Sequence, residues 1–483
     1  MVSADRTHAV FVRNQWLLSA AQLFSGVGIA VGFAVGGLLA EQLTGRAEYA
    51  GFAQTASIVG AGVLAIPLAR FAERRTRRHS LSLGFGLAAL GAVIILAGAR
   101  LGSPVVFFVG MVLFGSATAS GLQARYAATD TAPAHLKGRA LSTVVWATTV
   151  GSVAGPNLAE PGGVLGLHLG VGELGGPFAL SALAYLIAVA FTARLRRAPA
   201  AVASEPSPDG SGPLPEASEP SPEPVVGAGH TSGDGATREV SSHQQHASVP
   251  PTLTVGPVRP TIRQALAAVA SRPRALLGFA AVVLGHTIMV SVMVMTPVHM
   301  AHHGDTIAVI GIVISLHILG MYALSPVFGW AADRFGPVPV IWTGFALFTV
   351  SGVLGIADDV AGSSMPRISA ALMLLGLGWS ACFIAGSTLI SGSVPADIRV
   401  TVQGATDAAM NLGAAVFAAV AGPLLTAGGF TLINAVALGI VGLGVVIALR
   451  ASAAHARAAA GPPARPGSRG ALRSGSARSS PGA

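Results

Sequence analysis

The hydrophobic positions of this chain fall into long uninterrupted blocks, not into alternating or heptad stripes. A helix needs about 20 residues to cross a bilayer. Twelve blocks have that length, near 16–40, 48–69, 80–99, 104–128, 140–159 and 175–195, and again near 275–299, 305–329, 338–357, 366–392, 403–426 and 429–450. Blocks of this kind predict membrane-spanning helices. The first is too long for a signal-peptide core and lacks a convincing cleavage site, so it reads as a spanning helix that also targets the chain. Between the two sets lies a stretch, 198–259, rich in Pro, Ser, Glu and Gly, with near-repeats at Ser204-Glu205-Pro206 and Ser218-Glu219-Pro220. It cannot bury a core and is expected to be a disordered linker. The organisation that follows is a six-helix half over 1–197, the linker over 198–259, a second half over 260–450, and a disordered basic tail over 451–483.

Composition agrees. Of 483 residues, 52% are hydrophobic and 10% charged, and the mean hydropathy is +0.67. A soluble domain carries about 25% charged residues, so a soluble protein is excluded. The net charge of +9 does not point to nucleic acid, because the arginines sit in loops and tails, where they set membrane orientation. One set of loops holds Arg70, Arg74, Arg75, Arg77, Arg78, Lys137, Arg139, Arg194, Arg196, Arg197, Arg334 and Arg399, and the opposite set only Arg46, Arg100 and Arg367. This asymmetry predicts a multi-pass protein of the cell membrane with both termini in the cytoplasm. Lys137 is the one lysine; with the Ala, Gly and Pro richness this suits a GC-rich bacterial genome. Cys382 lies in an apolar block, so no disulfide framework exists. No Gly-x-x-x-x-Gly-Lys-Ser/Thr occurs, which leaves ATP-driven transport unsupported. Nothing suggests an enzyme or a cofactor.

The most informative polar segment is Gly329-Trp330-Ala331-Ala332-Asp333-Arg334-Phe335-Gly336. Ions in lipid cost several kcal/mol each, so it predicts a tight polar turn at the membrane surface. A weaker echo in the first half is Ala69-Arg70-Phe71-Ala72-Glu73-Arg74-Arg75-Thr76-Arg77-Arg78, with Glu73 in place of the aspartate. A second pair, Val153-Ala154-Gly155-Pro156 and Val420-Ala421-Gly422-Pro423, is read as closing the fifth and eleventh helices. Paired motifs in two halves are the pattern of a duplicated transporter.

The Gly329–Gly336 segment closely resembles the loop signature of the major facilitator superfamily, Gly-x-x-x-Asp-Arg-x-Gly. Gly151-Ser152-Val153-Ala154-Gly155-Pro156 is similar to the antiporter motif of that superfamily's drug–proton exporters, with the following glycines displaced to Gly162 and Gly163. Ordinary small-residue helix packing explains the same residues. The resemblance implies an all-α integral membrane protein of twelve transmembrane helices in two pseudo-symmetric six-helix bundles. It also implies a substrate cavity near midplane and alternating access by rocking. The function expected is secondary active, proton-coupled export of a small apolar or amphipathic compound by a monomer, with the lipid bilayer, the substrate and protons as partners. An importer on the same fold and a non-transporting membrane sensor are the alternatives. Such antiporters often carry an arginine deeper in helix four, before a glycine; here Ala117-Thr118-Ala119-Ser120 precede Gly121, so that arginine is absent, and Arg125, near the inner end and close to Asp130, is a further coupling or cavity candidate.

Individual roles follow. Asp333 with Arg334, and Glu73 with Arg74, Arg77 and Arg78, are expected to latch the cytoplasmic side, Asp333 facing the region 138–140. Asp407 shares one helical face with Gln403 and Asn411 at i−4 and i+4. It is either a gate partner of Arg70 or Arg74 or the proton-coupling carboxylate. His286 and His317 are titratable groups at membrane depth, read as coupling candidates or as hydrogen-bonded packing residues. Gln22, Gln54, Thr55, Trp146, Trp379 and Ser380 either line the cavity or tie helices together. Met289, Met293, Met295 and Met300 lead into His299, His302, His303 and Asp305, but the spacing matches no zinc signature, so no metal site is expected.

Overall fold

The protein was analysed as a computed structural model that describes residues 2–130, 132, 136–196 and 261–459. The expected linker, 198–259, and the tail from 460 lie outside the described residues. The helical stretches on either side of the segment 199–259 form one compact unit.

The first half runs α1 (Val2–Thr44), α2 (Ala50–Arg74), α3 (Arg77–Leu101), α4 (Pro104–Phe114), α5 (Ser116–Asp130), α6 (Lys137–Ala154), α7 (Ala159–Leu169) and α8 (Pro177–Thr192). The second runs α9 (Ile262–Ala270), α10 (Pro273–His302), α11 (Ile307–Tyr322), α12 (Ser325–Phe335), α13 (Pro337–Val360), α14 (Met365–Ser393) and α15 (Ala396–Ala459). No strand occurs among the described residues.

Among the described residues nine helical stretches are long and apolar enough to cross a membrane, two of them joining α4 to α5 and α11 to α12. One of them, within α15, is broken at Gly428 and Gly429, both non-helical. Its 58 residues would span about 87 Å as one rod, twice what a bilayer needs, so it crosses twice. Lys137–Leu169, with a 3₁₀ turn over Gly155–Leu158, and the shorter apolar α8 complete twelve spans. An even number of crossings leaves Val2 and Ala459 at one end of the bundle, the terminal end; the other is the far end.

Helix starts follow side-chain capping. Thr76 and Ser103 accept from the backbone N–H of His79 and Val106 at the starts of α3 and α4, and Thr306 caps α11 in the same way. Each satisfies an orphan N–H of a first turn. In the first half Phe114 meets Phe178 and Tyr185 edge-on at 5.8 and 5.3 Å, all three fully buried. Each such pair adds about 0.5–1.5 kcal/mol beyond area burial.

Several expected boundaries move. The Gly329–Gly336 segment is not a loop: α12 continues through Phe335, and the turn is Gly336 alone, at φ +87°. Only glycine adopts that backbone cheaply. Gly155-Pro156 does not end the fifth span; it tightens into the 3₁₀ turn and the rod continues through α7. Pro423 likewise sits inside its helix, which breaks only at Gly428. The last helix passes Arg450 and reaches Ala459.

Candidate functional site

The two halves touch at the far end. Gly51 of α2 stands against the Ala418 carbonyl of α15, with no room for a Cβ between them. One turn along, Thr55 Oγ1 donates to the Ala415 carbonyl at 3.0 Å. On the other side Asn157 Nδ2 donates to Ser315 Oγ at 2.8 Å, and Ser315 Oγ to the Val153 carbonyl at 2.8 Å. Gly311 packs on the Pro156 carbonyl. At the rim His302 Nε2 lies 2.7 Å from Glu41 Oε1. Gln54 sits in this closed zone, beside a void of about 10 Å³, at the limit for one water.

Toward the terminal end the same helix faces part. On α2 the stripe through Gly51 and Thr55 continues at helical spacing into Val59, Val63 and Ile66, which are 47, 62 and 60% exposed. On α15 the stripe below Ala418 and Ala415 is Asn411, Asp407 and Gln403, all exposed. On α6 the stripe below Val153 holds Val150 and Trp146, the latter 66% exposed. On α11 the stripe through Gly311 and Ser315 ends on Tyr322. The surfaces that seal one end are therefore the walls of an opening at the other.

Across that opening Arg125 of α5 is near enough to act electrostatically on both Asp407 and Tyr322 of the second half. Its Nε is buried without a hydrogen-bond partner among the described residues. Asp407 has no ion pair with Arg70 or Arg74, the partners expected from sequence; the charge that acts on it is Arg125, 282 positions away, without an ion-pair contact between the two. Asn411 Nδ2 donates to the Asp407 carbonyl at 2.8 Å, and Gln403 Nε2 to Ser391 Oγ at 3.3 Å. A crevice of about 330 Å³ opens beside Asp407, lined by Val282, Ser387, Ile390, Val400 and Gln403.

Behind Tyr322 lies an aromatic wall. Tyr322 meets Trp379 edge-on at 5.9 Å, and Trp379 stacks on Phe383 at 5.0 Å and 13°. The Trp379 indole N–H donates to His286 Nδ1 at 3.0 Å, which fixes the imidazole against the indole. Ser380 exchanges a hydrogen bond with Ser325 at 3.2 Å. His317 is elsewhere: it is fully buried, and its Nδ1–H donates to the Leu372 carbonyl of α14 at 2.8 Å. Gln22 ties three helices of the first half, donating to the Gly121 carbonyl at 3.1 Å and to Thr148 Oγ1 at 3.2 Å.

The motif residues divide by role. A Cβ on Gly151 would overlap the Leu23 carbonyl of α1, and one on Gly155 would lie 2.8 Å from the Val27 carbonyl. This pair lets α6 and α1 touch backbone to backbone inside one half, while Pro156 offers its carbonyl to the other half. Gly162 and Gly163 receive Pro177 and Glu173, at the entry to α8. Asp333 and Arg334 ride the last turn of α12, exposed, and Asp333 has no ion pair or hydrogen bond among the described residues. Gly329 has open space around it. In the first half Arg74 ends α2 and Arg77 begins α3, next to exposed Arg78; the Glu73 side chain lies outside the described set.

One network escaped the sequence. Asp358 and Asp359 at the end of α13 meet His299 of α10: His299 Nε2 is 3.2 Å from Asp358 Oδ2 and Nδ1 is 3.7 Å from Asp359 Oδ1. Arg367 Nε reaches Asp358 Oδ1 at 3.1 Å. Glu41, the partner of His302, was not singled out either. These acids sit at block edges, where a polar residue reads as an ordinary span end.

Comparison with known proteins fits this architecture. The family model of the Major Facilitator Superfamily matches residues 17–306 and 275–481. The chain is 31% identical over 424 residues to an uncharacterized MFS-type transporter, YdeG, of Bacillus subtilis (strain 168), covering 88% of each. It is 26% identical over 436 residues to the riboflavin transporter RfnT of Brucella anthropi, covering 90% of this chain and 94% of that one. Among solved structures the nucleoside transporter NupG superposes with a TM-score of 0.62 at 15% identity, covering 91% of this chain and 98% of that chain. An auto-inhibited peptide transporter of the POT family gives 0.59, also at 15% identity, over 94% and 97%. The described helices and these matches agree: the chain is a multi-pass membrane protein that belongs to the Major Facilitator Superfamily.

Proposed function

We propose that this secondary transporter exports a small, flat amphipathic compound from the cytoplasm in exchange for protons. The observation that carries the proposal is that Arg125 of the first half acts electrostatically on Asp407 of the second, beside the opening at the terminal end. A carboxylate there has two alternative partners, a proton or the guanidinium. Protonation releases Asp407 from Arg125 and favours one arrangement of the halves; deprotonation restores the attraction and favours the other. Opposite charges on separate halves are the kind of bistable element that alternating access requires.

The aromatic wall of Tyr322, Trp379 and Phe383, and the exposed Trp146 of α6, support a flat apolar substrate through stacking. The likeness to a riboflavin transporter supports the same class. The arginine asymmetry of the loops supports a cytoplasmic terminal end, which makes the arrangement described here the inward-open one. Asp333 without a partner fits that state: as a latch at the terminal end, it engages only when that end closes. The chain acts as a transporter and not as an enzyme, and as a monomer.

The test is transport by the purified protein in sealed liposomes under an imposed pH gradient, with riboflavin, neutral aromatic compounds and lipophilic cations as substrates. Movement against a concentration gradient, out of the compartment bordering the termini and only with a proton gradient, is the expected result. Uptake in the reverse sense under the same gradient would assign the chain to the importers.

A further inference from the structure

Where α10 ends at the far side, three side chains that the proposed transport cycle does not use converge. His299 is 2% exposed, and its ring lies nearly parallel to Phe430 at 4.3 Å. Its Nε2–H donates to Asp358 Oδ2 at 3.2 Å. Asp358 is fully buried and also accepts from the Ser363 hydroxyl at 2.9 Å, the Ser364 N–H at 2.9 Å and Arg367 Nε at 3.1 Å. That leaves Nδ1 as the lone-pair nitrogen of His299, and it faces Asp359 Oδ1 at 3.7 Å. Two acceptors at this distance repel unless something positive lies between them. Asp359 cannot turn away freely, because the Thr431 N–H holds its other oxygen at 2.8 Å. The exposed His303 donates its Nδ1–H to the His299 carbonyl at 2.8 Å, and its ring centroid is 4.4 Å from that of His299. One ligand atom from each of His299, His303 and Asp359 lies within 4.8 Å of the other two.

We infer that His299, His303 and Asp359 form a binding site for a single divalent transition-metal ion of the zinc class. Two imidazoles and a carboxylate are a donor set such ions accept, with water completing four-coordination. Ligands about 2.0–2.1 Å from a tetrahedral ion sit about 3.4 Å apart, so small ring rotations bring the observed cluster to binding distances. Asp358 stands where an outer carboxylate orients a ligating histidine by accepting from its second ring nitrogen. The ligands come from the ends of α10 and α13, and Asp359 is tied to the chain just after the Gly429 break. An ion there staples separate helices together.

The test uses the full chain without a polyhistidine tag, purified in detergent. It is titrated with Zn²⁺ against a chromophoric chelator and with Co²⁺ read by its visible absorption, and its Tm is followed in both. One ion per chain, a tetrahedral-type cobalt spectrum and a raised Tm are expected. His303→Ala, at an exposed position that keeps the fold, should weaken affinity at least tenfold and abolish the rise in Tm, as should Asp359→Asn. His302→Ala, its exposed neighbour engaged with Glu41, should leave the affinity unchanged. No stoichiometric binding by the wild type, or equal binding by wild type and His303→Ala, overturns the proposal; a protonated His299 bridging the two aspartates would then account for the cluster.

Discussion

His302 of the second half and Glu41 of the first lie 2.7 Å apart, nitrogen to oxygen, at the rim of the closed far end. The pair is half exposed, at 48% and 23%, so its contribution is about 0.2–1 kcal/mol. Glu41→Gln should shift the balance between the two access states by no more than about fivefold, the factor that about 1 kcal/mol allows. Spin-label distances across the far end check it; a complete switch of state would mean that this one contact dominates the closure.

Gly51 and Gly151 make a sharper contrast. Both press on a carbonyl with no room for a Cβ, Gly51 on Ala418 of the other half and Gly151 on Leu23 of its own. Gly51→Val should leave a folded protein that cannot close its far end, with normal yield and transport reduced at least tenfold. Gly151→Val should fail earlier, in yield and Tm, because the α1–α6 contact persists in every state. Equal effects on stability would refute the division of roles.

Arg367 tests the buried acid. Its Nε–H bond to fully buried Asp358 is of the charged kind, which contributes about 1.5–3 kcal/mol. Arg367→Ala should lower stability in detergent by about that amount while leaving the terminal-end opening unaltered. An unchanged Tm would show that Ser363, Ser364 and His299 satisfy the carboxylate on their own.

Asp333 is exposed and has no ion pair or hydrogen bond among the described residues. Asp333→Asn should therefore not change Tm, yet should slow transport and enrich the state open at the terminal end if the residue latches that end when it closes. Unchanged rate and unchanged state populations would remove the latch.

The twelve spans were legible because membrane helices are written as composition: twenty apolar residues in a row admit few other readings. Span ends were less so. The charges of Asp333 and Arg334 pointed to a loop, yet the last turn of a helix at the surface carries charges as easily, and only Gly336 needed the turn. Gly155-Pro156 looked like a stop, but a 3₁₀ turn absorbs the missing N–H and the rod goes on. Within the site, the face shared by Gln403, Asp407 and Asn411 followed from helical periodicity alone. The influence of Arg125 on Asp407 did not, because an electrostatic interaction between residues 282 positions apart leaves no local signal. The His299–Asp358 pair is hidden for the same reason, with two helices between its members.

Proton coupling, as proposed, rests on Asp407 exchanging a proton for the influence of Arg125. The most direct test is substrate transport by liposomes carrying wild type, Asp407→Asn or Asp407→Glu, each with and without an imposed pH gradient. Wild type should concentrate substrate only with the gradient, and Asp407→Glu should retain part of this. Asp407→Asn should lose gradient-driven accumulation while still exchanging substrate down its own gradient. Accumulation by Asp407→Asn at the wild-type level would contradict this and move proton coupling away from Asp407 and Arg125.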